Sequence, residues 1–193
     1  MIFSAKDLNV EYVGNFFSKK KSDYFLSTFI NNIKWRGDNI KIYGKTHPLP
    51  RLTAFYADLD KTYTYSGIEM KARPWSKELI EIKSEVEYYT GKYFNSVLLN
   101  RYRDGYDYQG FHSDNESSLG DNIDIASVSF GSVRDFKFKS RGKDSDRSAT
   151  FPLGHGSLLL MKHPTQLSWL HSLPKRRKVE SERINLTFRY IVK

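Results

Sequence analysis

His112 and Asp114 stand two positions apart in the stretch Phe111-His112-Ser113-Asp114. Alternate side chains of a strand share a face, so this spacing predicts an imidazole and a carboxylate pointing the same way. With a second histidine from elsewhere in the chain, such a pair makes the two-histidine, one-carboxylate set that holds ferrous iron and leaves its other positions open. Alone, His-x-Asp equally describes a loop histidine beside an acid. Three histidines lie downstream: His155, His163 and His171. His155 sits between two glycines and His163 precedes Pro164, both in turn-like contexts that suit structural roles. His171 lies in the β-prone run Ser168-Trp169-Leu170-His171-Ser172-Leu173 and is the expected third ligand.

A second constellation follows in Arg183-Ile184-Asn185-Leu186-Thr187-Phe188-Arg189. On a strand, Arg183, Asn185, Thr187 and Arg189 share one face, and Ile184, Leu186 and Phe188 the other. Two inward arginines cost several kcal/mol unless an anion meets them, roughly as for any buried charge. A dicarboxylate supplies that anion, which a guanidinium grips as a fork. Asn100 and Tyr102 share a face of an earlier strand and offer further hydrogen bonds. The alternative is the solvated polar side of an edge strand.

The elements that must position these residues read as follows. Ser18 or Ser22 caps a helix to about Trp35, with Phe25, Leu26, Phe29, Ile30 and Ile33 at helical spacing. Lys19, Lys20 and Lys21 at its start read as a solvated face. Residues 38–66 read as strands and turns, with a hairpin tip at Tyr43-Gly44-Lys45. Pro74 opens a helix over about 75–90 whose Leu79, Ile82, Val86 and Tyr89 form a core stripe, stopped by Gly91. From Tyr93 onward the pattern is sheet: 95–102, 123–130, 134–139, 156–161, 166–173 and 184–192. The expected fold is mainly β with flanking helices, a double-stranded β-helix (jelly roll) with two helices covering one face. Residues 1–37 are expected as an N-terminal extension and first helix, and 38–193 as the main domain, with recognition hairpins at 38–66.

Composition narrows the functions. The 193-residue chain has no cysteine, which excludes disulfides, cysteine-ligated zinc or iron–sulfur centres and thiol nucleophiles. Its net charge of +9 favours a polyanionic partner, nucleic acid before others. The first residues lack the apolar core of a signal peptide, and no apolar run reaches membrane-span length. The expectation is a soluble, intracellular monomer (cytoplasmic if bacterial, nuclear if eukaryotic) with no membrane contact and no obligate protein partner.

Taken together, the motifs resemble the AlkB family of Fe(II)/2-oxoglutarate dioxygenases, and most closely its duplex-DNA-repairing animal member. The resemblance covers roughly residues 40–192. It is carried by Asn100-Arg101-Tyr102-Arg103-Asp104-Gly105, His112-x-Asp114, Ile125-Ala126-Ser127-Val128-Ser129-Phe130-Gly131, His155-Gly156-Ser157, Trp169-x-His171-Ser172-Leu173-Pro174 and Arg183-x-Asn185-x-Thr187-x-Arg189. It implies that His112, Asp114 and His171 bind Fe(II). Asn100, Tyr102, Arg183, Thr187 and Arg189 would hold 2-oxoglutarate, with Arg183 on its distal carboxylate and O2 as second co-substrate. Tyr63, Thr64, Tyr65 and Ser66 would line the pocket for a flipped base. Tyr43, Gly44 and Lys45 match the finger that fills the gap in the stack. Arg141, Gly142 and Lys143, and then Arg176, Arg177 and Lys178, match loops on the opposite strand.

The implied reaction is oxidative demethylation of bases such as 1-methyladenine and 3-methylcytosine in DNA. Hydroxylation of the N-methyl group leaves a hemiaminal that collapses to formaldehyde and the bare base. The alkylated atom lies inside the stack, so the base must be extruded. One position departs from the family pattern: a second acid after the metal-binding aspartate is here Asn115, followed by Glu116. Asparagine both donates and accepts where an ionised carboxylate only accepts, which puts the preferred lesion in doubt. The alternatives are an RNA demethylase of the same chemistry, a non-catalytic lesion-binding protein on the same fold, and an oxygenase acting on protein, against which the two basic loops argue.

Overall fold

Two helices and two sheets stack in layers in the computed structural model, which describes residues 2–42, 44–58, 62–65, 68–142 and 147–192. The chain opens with strands β1 (Ile2–Ala5) and β2 (Leu8–Val13), then helix α1 (Lys19–Asn32). A hairpin of β3 (Asn39–Ile42) and β4 (Lys45–Pro48) follows, then β5 (Leu52–Ala57), then a second hairpin of β6 (Thr62–Tyr65) and β7 (Ile68–Lys71). Helix α2 (Lys77–Thr90) leads to β8 (Ser96–Tyr102), β9 (Gln109–His112), β10 (Ile125–Gly131) and β11 (Arg134–Ser140). The chain continues through β12 (Ser148–Leu153), β13 (Ser157–Lys162), the single turn α3 (Thr165–Ser168), β14 (Trp169–Leu173) and β15 (Arg183–Arg189).

The major sheet has the order β1-β2-β13-β10-β15-β8-β5, the minor sheet β12-β11-β14-β9. One core lies between the sheets and joins Leu98, Ile125, Leu159 and Met161 to Phe138, Phe151, Trp169 and Leu173. The other lies between the major sheet and the helices, joining Phe25, Phe29, Leu79, Ile82 and Val86 to Leu99, Val128, Leu186 and Phe188. Central strands such as β13 therefore read as continuous apolar runs, Leu158 to Met161, because both of their faces are covered. The two helices cover one face of the major sheet, as the sequence predicts. Among the described residues, no helix is long and apolar enough to cross a membrane.

The helices start and stop for local reasons. The Ser18 hydroxyl accepts from the Lys21 amide and that of Ser76 from the Leu79 amide, each capping a first turn. Gly91 ends α2 at φ 64°, a left-handed conformation that costs glycine little. Lys21 lies beside Glu81 and Glu85 of α2 at 3.0 and 3.6 Å, so the lysine run is a solvated face with partners.

Several expectations are corrected. Helix α1 ends at Asn32, with the chain extended at Ile33, short of Trp35. Tyr89 is 45% exposed and donates to Glu11, so the α2 stripe ends at Val86. Residues 166–168 form a helical turn rather than a strand. The N-terminal stretch is no loose lead-in: β2 pairs with β13 inside the major sheet. Within 38–66, β5 pairs with β8 and belongs to that sheet, while the second hairpin extends to Lys71. Strand β12 was hidden by the polar residues beside it.

The connection between the sheets is tight. After β8, the turn at Gly105 packs against the segment following β14: the Gly105 amide donates to the Val179 carbonyl at 2.7 Å, and the Arg176 amide to Gly105 at 2.8 Å. A Cβ on Gly105 would stand 1.8 Å from the Arg176 carbonyl oxygen. Gly105→Ala therefore forces two backbones apart, and urea denaturation is expected to show a loss of at least about 1–3 kcal/mol, the scale of overpacking.

Candidate active site

Strands β9 and β14 are antiparallel neighbours, and His112 pairs directly with His171 across them. Their ring centroids are 4.2 Å apart. Asp114 joins them from outside the strand, since β9 ends at His112. The expectation of a shared strand face is thus corrected; Asp114 sits in the following loop, where its amide donates to the Gln166 Oε1 at 3.1 Å. One ligand atom from each of His112, Asp114 and His171 lies within 4.8 Å of the others. His155 accepts from the Gly131 amide and its Nε2 meets Asp23, a structural role that removes it as a ligand.

The protonation states suit a cation. Nδ1 of His112 lies 2.9 Å from the Gly110 carbonyl, which makes it the donor and leaves Nε2 with a lone pair. Burial, with His112 and Arg189 nearby, pushes His171 down to about 3, so it is a neutral imidazole at physiological pH. Burial alone would raise the Asp114 carboxyl. Arg189, His171 and His112 outweigh that effect and hold it below the usual carboxylate range. Nη2 of Arg189 donates to Asp114 Oδ2 at 2.5 Å. The other oxygen, Oδ1, is buried and accepts no hydrogen bond, and Nδ1 of His171 is likewise buried without a partner. A buried anionic oxygen left bare beside two neutral imidazoles fits a divalent metal ion.

The major sheet supplies the second half of the site. Arg183 faces Tyr102, and Asn185 faces Asn100, across the β15–β8 ladder. Arg183 and Arg189 are 2% and 5% exposed, so both point inward. Asn100, Tyr102, Arg183, Thr187 and Arg189 line one cavity with His112 and His171. Nη2 of Arg183 donates to Ser129 Oγ at 2.9 Å, its guanidinium lies 5.4 Å from the Tyr102 ring centre, and its Nε is buried with no acceptor. No carboxylate among the described residues pairs with it. Burial lowers its pKa to about 10, still charged at neutral pH. An unpaired buried cation fits an incoming carboxylate. Arg189, expected on the same ligand, lines the same cavity and also donates to Asp114.

Sequence reasoning missed several residues here. Arg51, 3% exposed, donates through Nε to Asn100 Oδ1 at 2.8 Å. Gln109 bridges the two half-sites: Oε1 accepts from the Tyr102 hydroxyl at 3.1 Å, and Nε2 lies 2.9 Å from His112 Nε2. Its place on β9, three residues before a suspected ligand, was the available signal. Gln166 carried none, because its contact with Asp114 spans 52 positions.

A 2OG-Fe(II) oxygenase superfamily profile matches residues 9–189, beyond the 40–192 that the motifs alone delimit. The chain belongs to this superfamily. Within it, the chain is similar to proteins named DNA oxidative demethylase ALKBH2, which places it in the AlkB family. It is 48% identical to the human one over 79% of the chain and 61% of that protein, and 42% identical to the one from Bos taurus over 97% and 70%. It thus spans just over three fifths of the human relative's length. An oxidoreductase of the 2OG-Fe(II) oxygenase family from Burkholderia pseudomallei shares the fold, with TM-score 0.62 at 12% identity, covering 94% of this chain and 84% of that one. Superfamily membership implies Fe(II), 2-oxoglutarate and O2, and the residues described fit the first two.

The expected nucleic-acid contacts are placed unevenly. Gly44 and Lys45 sit at the exposed tip of the β3–β4 hairpin. Tyr43, Ser66 and Lys143 lie outside the described residues, as do the side chains of Tyr63, Thr64 and Tyr65 on β6. Asn115 is exposed and Glu116 half-buried, directly after Asp114. Arg141 donates to the Ser113 hydroxyl, which sets it beside the metal-ligand loop. Gly142 is exposed, as are Arg177 and Lys178, whereas Arg176 pairs with Asp135 at 2.5 Å.

Proposed function

We propose that this protein is a DNA oxidative demethylase that restores N-alkylated bases such as 1-methyladenine and 3-methylcytosine. The observation that carries this reading is the convergence of His112, Asp114 and His171 beside the unpaired buried cation Arg183. The relatives' name supports the substrate class, and the net charge of +9 supports a polyanion.

Bound Fe(II) with 2-oxoglutarate supplies the activation of O2 that inserts one oxygen atom into a methyl C–H bond, the other oxygen leaving in succinate as CO2 is released. The chain's own residues do the rest. His112, Asp114 and His171 hold the metal. Arg183 takes the distal carboxylate, with Asn100, Tyr102 and Thr187 orienting the ligand. Arg189 keeps Asp114 ionised through Oδ2, and the bare Oδ1 would be the oxygen that holds the metal. The N-hydroxymethyl product then breaks its C–N bond, and formaldehyde leaves with the base restored. Tyr63, Thr64, Tyr65 and Ser66 receive the extruded base; Tyr43, Gly44 and Lys45 fill the space it leaves. Arg141, Gly142, Lys143, Arg177 and Lys178 meet phosphate.

The test is incubation with Fe(II), 2-oxoglutarate and methylated oligonucleotides of four kinds: single- and double-stranded, DNA and RNA. Loss of the methyl mass from DNA is expected, and turnover of RNA alone would overturn the substrate class. Asn115→Asp is expected to change the ratio of rates on 1-methyladenine and 3-methylcytosine, because it replaces a donor–acceptor amide with an acceptor beside the metal loop. An unchanged ratio removes Asn115 from base reading.

A further inference from the structure

We infer that Arg134 is a positioning residue for the metal site, setting the separation of the strands that carry His112 and His171. The inference rests on the metal-ligand reading above. Arg134 occupies the first position of β11, on the same face as the inward Phe136 and Phe138 and opposite the outward Lys137 and Lys139. It is 1% exposed, one of the largest fully buried side chains. Among the described residues it has no carboxylate partner. Its guanidinium instead donates to three backbone carbonyls: Nη1 to Asp104 at 3.0 Å, and Nη2 to Asp107 at 2.9 Å and to Pro174 at 2.8 Å. Nε stays buried without an acceptor.

Those carbonyls mark the ends of the elements that build the site. Asp104 and Asp107 bracket the turn between β8, which ends at Tyr102, and β9, which ends at His112. Pro174 follows the last residue of β14, the strand of His171. The ladder between β9 and β14 is short and irregular; its register gives only His171 with His112 and Leu173 with Gln109, with a shift between them. So short a ladder at a sheet edge holds the two imidazoles weakly. The Arg134 fork ties the turn that enters β9 to the residue that leaves β14, at the other end of the ladder, and adds a side-chain constraint to the Gly105 backbone bonds there. A buried cation with no carboxylate in direct contact, only Asp107 and Asp104 nearby, is a poor stability device, and an apolar residue of similar volume often does as well or better. Its three acceptors, by contrast, are a geometric device that a planar guanidinium alone can satisfy together.

The experiment is titration of the metal-free protein with Co(II), followed by its ligand-field absorption, on wild type, Arg134→Lys, Arg134→Met and a control, Arg101→Met. Arg101 forms a two-pronged pair with Glu182, apart from the cavity lining. Its loss is expected to lower Tm without moving Co(II) affinity. Outer partners of metal ligands typically contribute 10–100-fold in affinity. Arg134→Lys, which keeps charge but not the fork, is expected to weaken Co(II) by roughly 10-fold, and Arg134→Met by up to about 100-fold, with a changed ligand-field spectrum. Unchanged affinity in a folded Arg134→Lys protein would overturn the inference, as would an equal loss in Arg101→Met. Failure of the wild type to bind Co(II) would instead remove the metal-ligand reading itself, and this inference with it.

Discussion

His112→Ala is expected to abolish turnover and to leave the fold standing. The side chain is 23% exposed, and its bonds include those to the Gly110 carbonyl and the Gln109 amide, both able to turn to water. Its removal takes away one of three metal ligands without stranding a charge. Formaldehyde release should fall to background while Tm changes little. Asp114→Ala provides the contrast, because it strands the Arg189 guanidinium in a buried site. Breaking a buried pair costs about 3–5 kcal/mol, so this variant should lose activity and much of its stability together. Residual turnover in His112→Ala would refute the metal assignment.

The same residues set the acid response of the metal-free protein. His171 titrates near 6.5 in an unfolded chain and at about 3 when folded. Between these values the unfolded chain binds more protons, so stability is full above about pH 6.5 and falls as pH drops. Asp114, with its folded pKa also depressed, adds its loss only below about pH 4. Urea midpoints of metal-free protein should therefore fall between pH 7.5 and 5.5. Added Co(II) should oppose that fall, since it binds only the neutral imidazoles.

The layers and most strands were legible because burial imposes a period: both-sided burial wrote β13 as an unbroken apolar run from Leu158 to Met161, and one-sided burial wrote β11 as alternation. The inward arginines were legible because charge among apolar residues at period two contradicts an ordinary core strand. What was illegible is whatever one side chain does across a long separation. Gln166 reaches Asp114 over 52 positions. Arg134 shares the inward face of Phe136 and Phe138, but the carbonyls it meets lie 27 to 40 positions away. Arg51 is a third case, buried against Asn100 from a stretch that reads as a turn. Asp114 fell between the two kinds: its spacing from His112 identified it, but a loop tied down by Gln166, rather than a strand, brings it into place.

Arg183→Met separates stability from function at a single position. Arg183 is a buried charge that meets the Ser129 and Tyr102 hydroxyls but, among the described residues, no carboxylate, and its Nε is unsatisfied. Burial lowers its pKa to about 10, and neighbouring Arg134 pushes the same way, so in the absence of an anion the fold bears a desolvation cost here. A flexible apolar side chain of similar length fills the space without that cost. The metal-free, ligand-free variant is expected to be as stable as wild type or more stable, by up to about 1–4 kcal/mol in urea. Its affinity for 2-oxoglutarate should collapse, because the distal carboxylate would enter a buried site with no cation to meet it. Truncating one partner of such a pair costs about 2–5 kcal/mol, or roughly 30-fold to several thousand-fold in KM for 2-oxoglutarate. Arg189→Met should do the reverse to the fold, since it strips Asp114 of its partner. A fall in Tm for Arg183→Met as large as that for Arg189→Met would mean that Arg183 is structural and that the carboxylate binds elsewhere.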